Sequence, residues 1–137
     1  MTNRIAIITG GSRGIGRNIS INLLRRGVDI IFTYHSNKTE ADGLIRELEA
    51  TDMKAASFRL DTGDLRSFRF VTDVRETSET WKRDRFDYLV NNGGNSLHVN
   101  FEQMTETQFD EVVNIHFKGV YFLTQKLLPL KNDGGAS

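Results

Sequence analysis

The chain has no cysteine and a single proline among its 137 residues. Without cysteine there is no disulfide framework, no thiol nucleophile, no iron–sulfur cluster and no cysteine zinc site. Charge of one sign is also missing: 18 Lys+Arg stand against 18 Asp+Glu, for a formal net charge of zero. Proteins that grip nucleic acid or an anionic membrane show a basic excess, so neither partner is expected. The longest apolar runs fall far below a membrane span of about 20 residues. The N-terminal stretch Met1 to Ile8 has one basic residue and too short an apolar run for a signal peptide, so a soluble, cytoplasmic chain is expected, with structure starting at once. The three histidines, His35, His98 and His116, form no i, i+4 pair, and no metal site is expected.

What is present is an alternation of apolar strand-like runs with longer helix-like segments, the pattern of a parallel sheet with helical crossovers. Four strands are predicted, at Ile5–Thr9, Val28–Tyr34, Ala55–Leu60 and Phe86–Val90. Between them, Ile15–Arg26 carries Ile15, Ile19, Leu23 and Leu24 near one face and ends in basic residues before Gly27, as a helix C-terminus prefers. Thr39–Ala50 repeats the logic, and Asp64–Trp81 is a more charged third helix, with Phe68, Phe70, Trp81 and Phe86 expected to pack it on the sheet. The last helix, Thr105–Leu128, is apolar around nearly its whole circumference, which predicts burial on two sides, one against the sheet and the other against a further element or a second copy. Pro129 is expected to end it. No repeat, linker or low-complexity tract divides the chain, so residues 1–137 are taken as one unit.

A glycine-rich turn, Ile8-Thr-Gly-Gly-Ser-Arg-Gly-Ile-Gly16, joins the first strand to the first helix. Glycines there let the backbone approach a ligand, and the helix N-terminus offers unpaired N–H groups and a positive dipole end to a pyrophosphate. The G-x-G-x-x-G fingerprint is absent. The P-loop fails as well, because Arg17-Asn18 stands where Lys-Ser/Thr must hold phosphate and Mg²⁺. A tight strand-to-helix turn without a ligand is the plain alternative for this segment taken alone.

The turn does match Thr-Gly-x-x-x-Gly-x-Gly, at Thr9, Gly10, Gly14 and Gly16, and in this it resembles the short-chain dehydrogenase/reductase family. Three further elements follow in the family's order. Asn91-Asn92-Gly93-Gly94 resembles its Asn-Asn-Ala-Gly motif, Leu60-Asp61-Thr62 its adenine-contacting Asp, and Val113-Asn114 the Asn of its catalytic tetrad. The overall style is most similar to the 3-oxoacyl-acyl-carrier-protein reductase branch. The resemblance implies an α/β fold of Rossmann type, a doubly wound parallel sheet present only in part, with about four strands. It also implies a dinucleotide site built from Gly10, Ser12, Arg13, Gly14, Ile15, Gly16, Asp61, Thr62, Asn92, Gly93 and Gly94.

The choice of dinucleotide follows from charge. NAD selection uses an acid at the end of the second strand to bind the ribose 2′-hydroxyl, whereas NADP needs positive charge and hydroxyl donors for its 2′-phosphate. That strand ends Thr33-Tyr34-His35-Ser36-Asn37-Lys38, with no carboxylate before Glu40. His35, Ser36 and Lys38, joined by Arg13, therefore make NADP(H) the expected cofactor over NAD.

By the same resemblance, the reaction is hydride transfer between the nicotinamide and a small-molecule carbonyl or alcohol, with a tyrosine as acid/base, a lysine lowering its pKa, a serine holding the oxygen and an asparagine supporting a proton relay. Asn114 alone of these is expected here, because the family's serine and Tyr-x-x-x-Lys lie beyond a fifth strand that the chain is expected not to reach. The literal Tyr34-x-x-x-Lys38 sits after the second strand, at the adenosine end, and is not expected to be catalytic. Three readings stay open at this point: the cofactor-binding half of an NADP-dependent oxidoreductase, a non-catalytic nucleotide-binding or interaction module, or an inactive partial product with an exposed sheet edge. Self-association through the helix at 105–128 is a further expectation.

Overall fold

In a computed structural model, residues 3–12, 14–61, 69–93 and 100–132 are described. They fold as β1 (Ile5–Ile8), α1 (Gly14–Arg25), β2 (Asp29–Tyr34), α2 (Lys38–Leu48), β3 (Ala55–Arg59), α3 (Arg69–Thr80), β4 (Tyr88–Val90), α4 (Glu106–Val113) and α5 (Gly119–Leu127). The four strands form one parallel sheet in the order β3-β2-β1-β4.

Strand β1 is buried throughout and reads as an unbroken apolar run, and β2 is buried from Asp29 to Thr33, as in sheets covered on both faces. Successive side chains point to opposite faces. Ile5 and Ile7 join Ile31, Leu89, Phe70 and Val74 of α3, and Leu123 and Leu127 of α5, in one core. Ala6 and Ile8 join Ile30, Phe32, Leu24 of α1, and Ala41, Leu44 and Leu48 of α2, in the other. Helices thus cover both faces, and the sheet is doubly wound. Phe70 and Phe86 lie in the first core with Trp81 packed against it, as expected from the sequence, while Phe68 lies outside the described residues.

Side-chain caps start two of the helices. Asn37 caps α2, its Oδ1 accepting from the Glu40 N–H at 3.1 Å. Thr105 opens α4 with a reciprocal capping box to Gln108. In contrast, α1 has no acidic residue in its first turn.

At the amino ends of the strands, carboxylates hold neighbouring backbones in register. Asp29 accepts from the Lys54 N–H at 2.8 Å and pairs with Arg83 at 2.8 Å, both groups largely buried. Asp87 accepts from the Ile5 N–H at 2.8 Å and from the Asn132 side chain at 2.9 Å. Leaving such a buried charge unpaired is strongly destabilising, so these contacts fix the base of the sheet.

Three expectations from the sequence need correction. The fourth strand is shorter than predicted: Phe86 lies outside β4 and makes a parallel bridge with Lys131, donating to the Leu130 carbonyl at 3.0 Å and accepting from the Asn132 N–H at 2.7 Å. The outer side of β4 is therefore not bare, and strand-like pairing starts beside it at residues 130–132. The single helix predicted over 105–128 is divided by a π-helical turn, Asn114–Lys118, where the Gly119 N–H reaches back to the Asn114 carbonyl. Its burial is one-sided as well. Gly119, Leu123 and Leu127 are covered, whereas Phe109, Phe117, Tyr121 and Leu128 are exposed. As expected, the helix ends just before Pro129, at Leu127, and Pro129 sits in a short 3₁₀ turn, Leu128–Leu130.

Candidate dinucleotide site

The chain runs from β1 outward to β3, then crosses to the other side of β1 to form β4. This reversal opens a crevice at the carboxyl ends of β1 and β4, the place where open α/β sheets bind ligands. The glycine turn and the Asn-Asn-Gly segment meet there.

Thr9 organises the meeting. Its buried Oγ1 accepts from the N–H groups of Asn92 at 3.0 Å and Gly93 at 2.8 Å, while the Thr9 N–H donates to the Val90 carbonyl at 3.0 Å. The Asn92 side chain donates back to the Gly10 carbonyl at 3.2 Å. From the other side, Thr33 Oγ1 accepts from the Gly10 N–H at 3.0 Å, and its carbonyl accepts from the Gly11 N–H at 3.0 Å. Ser20 Oγ, buried in α1, lies 3.1 Å from the Gly11 carbonyl and 2.9 Å from that of Gly16. The turn is thus tied to β2, β4 and α1 together.

Three glycines are required by this closeness, and a Cβ on Gly11 would fall 2.6 Å from Phe32 Cβ. Gly10 has φ +64°, and a Cβ there would stand 2.9 Å from Gly93 Cα. A Cβ on Gly16 would fall 2.0 Å from the Gly10 carbonyl oxygen. Beside this packed seam, Gly14 begins α1 with nothing within 4 Å of where its Cβ would be, and Ile15 is exposed. A rigid seam therefore adjoins an open helix N-terminus with no competing carboxylate in its first turn, the combination an anionic pyrophosphate needs.

The structure groups the predicted residues into two sets and leaves one apart. Gly10, Ser12, Gly14, Ile15, Gly16, Asn92 and Gly93 lie at the β1–β4 crevice, Ser12 buried within the turn. His35, Ser36 and Lys38 follow β2, with Ser36 and Lys38 exposed, and His35 Nε2 is 3.6 Å from Asp61 Oδ2 beyond β3. Tyr34 and Lys38, the literal Tyr-x-x-x-Lys, sit at the end of β2 and the start of α2, away from the β1–β4 crevice. Asn114 is half-buried at the junction of α4 and the π turn. The Asn91 side chain meets Thr124, ten residues along the chain from Asn114, at 3.3 Å. Arg13, Thr62 and Gly94 lie outside the described residues.

Thr33 and Ser20 are positioning residues that the sequence does not single out, and Thr9 stands there as the head of the glycine motif without this role. Among the described residues, no group of three or more His, Asp or Glu is placed to hold a metal ion, and no helix is long and apolar enough to cross a membrane.

The family model described as short chain dehydrogenase matches residues 4–136. The chain belongs to this family. It is 26% identical to a hydroxynaphthalene reductase-like protein, Arp2, of Metarhizium brunneum, over 98% of this chain and 49% of that protein. A 3-oxoacyl-[acyl-carrier-protein] reductase of Staphylococcus epidermidis is 29% identical over 98% of this chain and 54% of its own length, in keeping with the branch the sequence resembles. Among solved structures, a short-chain dehydrogenase from Burkholderia cenocepacia in complex with NADP superposes with a TM-score of 0.87 at 27% identity, covering 98% of this chain and 53% of that one. The chain spans about half the length of these family members.

Proposed function

We propose that this chain forms the NADP(H)-binding portion of a short-chain oxidoreductase that interconverts a small-molecule carbonyl and its alcohol. The observation that carries the reading is the seam at the carboxyl ends of β1 and β4, where Gly10 and Gly16 leave no room for a side chain while Gly14 stands open at a helix N-terminus with no acidic residue in its first turn. In this reading the backbone of Gly14, Ile15 and Gly16 receives the pyrophosphate. Arg13, His35, Ser36 and Lys38 receive the 2′-phosphate, Asp61 and Thr62 border the adenine, and Asn92, Gly93 and Gly94 line the floor of the crevice. The dinucleotide, when bound, supplies the hydride chemistry.

Asn114 is the one residue of this chain proposed to act near the reacting atoms. The π turn spends its backbone carbonyl on Gly119, five residues on. Such turns gather at functional positions, and this one places the Asn114 side chain at the break, where it supports a proton relay. The acid/base tyrosine, lysine and serine are assigned to the portion of the family domain that this chain does not match. The chain by itself is therefore proposed to bind cofactor without turning it over.

Fluorescence titration of the purified chain with NADPH and NADH, followed by NADPH oxidation with a generic ketone, tests this. Saturable binding with NADPH preferred, and no turnover, is expected. Absence of binding, or tighter binding of NADH, overturns the cofactor assignment. Turnover at an ordinary enzymatic rate that survives Asn114→Ala overturns the placement of the active site.

A further inference from the structure

The glycine turn is held between two strands by two threonines. Thr9 ties it to β4 and the segment that follows, and Thr33 ties it to β2. Thr33 is only 2% exposed and spends both of its oxygens on the turn. Its Oγ1 accepts from the Gly10 N–H and its carbonyl from the Gly11 N–H, each at 3.0 Å. Immediately beyond Thr33, the Leu60 N–H donates to the Tyr34 carbonyl at 2.9 Å and pins the tip of β2 to β3. The chain then passes through His35 and Ser36 and, after the Asn37 cap, starts α2 at Lys38. Thr33 therefore joins the glycine turn to the strand end that carries the residues assigned to the 2′-phosphate.

NADP(H) carries anionic groups at two places, the pyrophosphate and the 2′-phosphate, joined through one ribose. A ligand that engages two subsites at once gains from the second only when their separation matches its own span. Resting on the cofactor reading above, we propose that Thr33 is a positioning residue for cofactor selectivity. By holding the turn on β2, it sets the span between the pyrophosphate subsite at Gly14, Ile15 and Gly16 and the 2′-phosphate subsite at His35, Ser36 and Lys38. It touches neither phosphate. NADPH reaches both subsites and depends on the span, whereas NADH reaches the first alone. The hydroxyl carries this role, because Gly10, at φ +64°, has no side chain to hold its peptide in place once the acceptor is lost.

Titrations of NADPH, NADH and adenosine 2′-monophosphate on the wild type, Thr33→Val and Thr33→Ser test this. Valine keeps the branched shape and removes the acceptor, and serine restores it. In Thr33→Val the NADPH-over-NADH affinity ratio is expected to fall roughly fivefold to tenfold, a modest part of the about hundredfold gain that joining two subsites can give. Adenosine 2′-monophosphate, which reaches only the subsite after β2, is expected to bind within about twofold of wild type, since it gains nothing from the span. Thr33→Ser is expected to recover the ratio. An equal ratio in Thr33→Val and wild type overturns the inference while leaving the cofactor reading intact, because a turn that is merely loosened weakens both cofactors alike. Loss of adenosine 2′-monophosphate binding in Thr33→Val also overturns it, by placing the damage in the subsite itself. Thr33→Cys, similar in volume and a weak acceptor, is read in the same way if the valine variant does not fold. A wild type that binds no NADPH, or binds NADH more tightly, overturns the cofactor reading and the inference with it.

Discussion

Thr9 serves two N–H groups with a single buried hydroxyl oxygen, and those groups come from the segment that forms the other wall of the crevice. Thr9→Val keeps the shape and removes the acceptor. A buried N–H left unpaired costs about 1–3 kcal/mol, so the variant is expected to lose roughly that much stability in urea unfolding and to bind NADPH at least tenfold more weakly. Thr9→Ser, which restores the oxygen, is expected to recover most of both. Equal NADPH affinity in Thr9→Val and wild type would show that the seam does not shape the site. The glycines of this seam were legible in the sequence because their signature is local, a run of seven residues from Gly10 to Gly16. The work of Thr9 was not, because its partners lie more than eighty residues away and no spacing rule reaches that far.

At the scale of elements, periodicity located every helix between the strands to within a residue or two, except where α3 follows residues outside those described. It did not reveal the π turn at Asn114–Lys118 or the exposure of the long helix, because an apolar residue reads the same in sequence whether or not a neighbour covers it. Helix α3 shows a subtler competition. The Asp73 carboxyl is raised above its ordinary value chiefly by burial, with Arg69 at 3.7 Å opposing and Glu76 reinforcing the shift. The folded chain therefore holds this proton more tightly than the unfolded chain does. Stability falls as pH rises from the ordinary aspartate value, near 3.9, through the raised one, and the penalty persists at neutral pH. Asp73→Asn is accordingly expected to raise stability at pH 7 by up to about 0.5 kcal/mol, the usual range for a peripheral substitution, and to give no gain at pH 3. Thermal unfolding at the two pH values reads this directly, and a variant less stable than wild type at pH 7 would mean that the Arg69 attraction outweighs the burial cost.

For the molecule as a whole, the strand order β3-β2-β1-β4 explains why two motifs about eighty residues apart share one crevice; the alternation of runs predicts a parallel sheet with helical crossovers but not this order. What the alternation could not announce is how the second long face of the helix beyond β4 is used. Gly119, Leu123 and Leu127, spaced four apart, form the buried stripe, whereas Phe117, Tyr121 and Leu128 fall on the opposite side, with Phe117 72% and Tyr121 59% exposed. A contiguous aromatic face of this kind marks a contact surface on a folded protein, and we propose that a second copy of the chain covers it. In a two-fold pairing each Phe117 and Tyr121 would be buried by the same patch on the partner, so one charged substitution is introduced twice into the interface. Phe117→Glu and Tyr121→Glu are therefore expected to weaken self-association by at least about tenfold, near 1.4 kcal/mol, in sedimentation equilibrium, while the buried stripe keeps each chain folded by circular dichroism. A wild-type chain that sediments as a monomer at tens of micromolar would refute the pairing. An unchanged dimer in both variants would place the contact on another face.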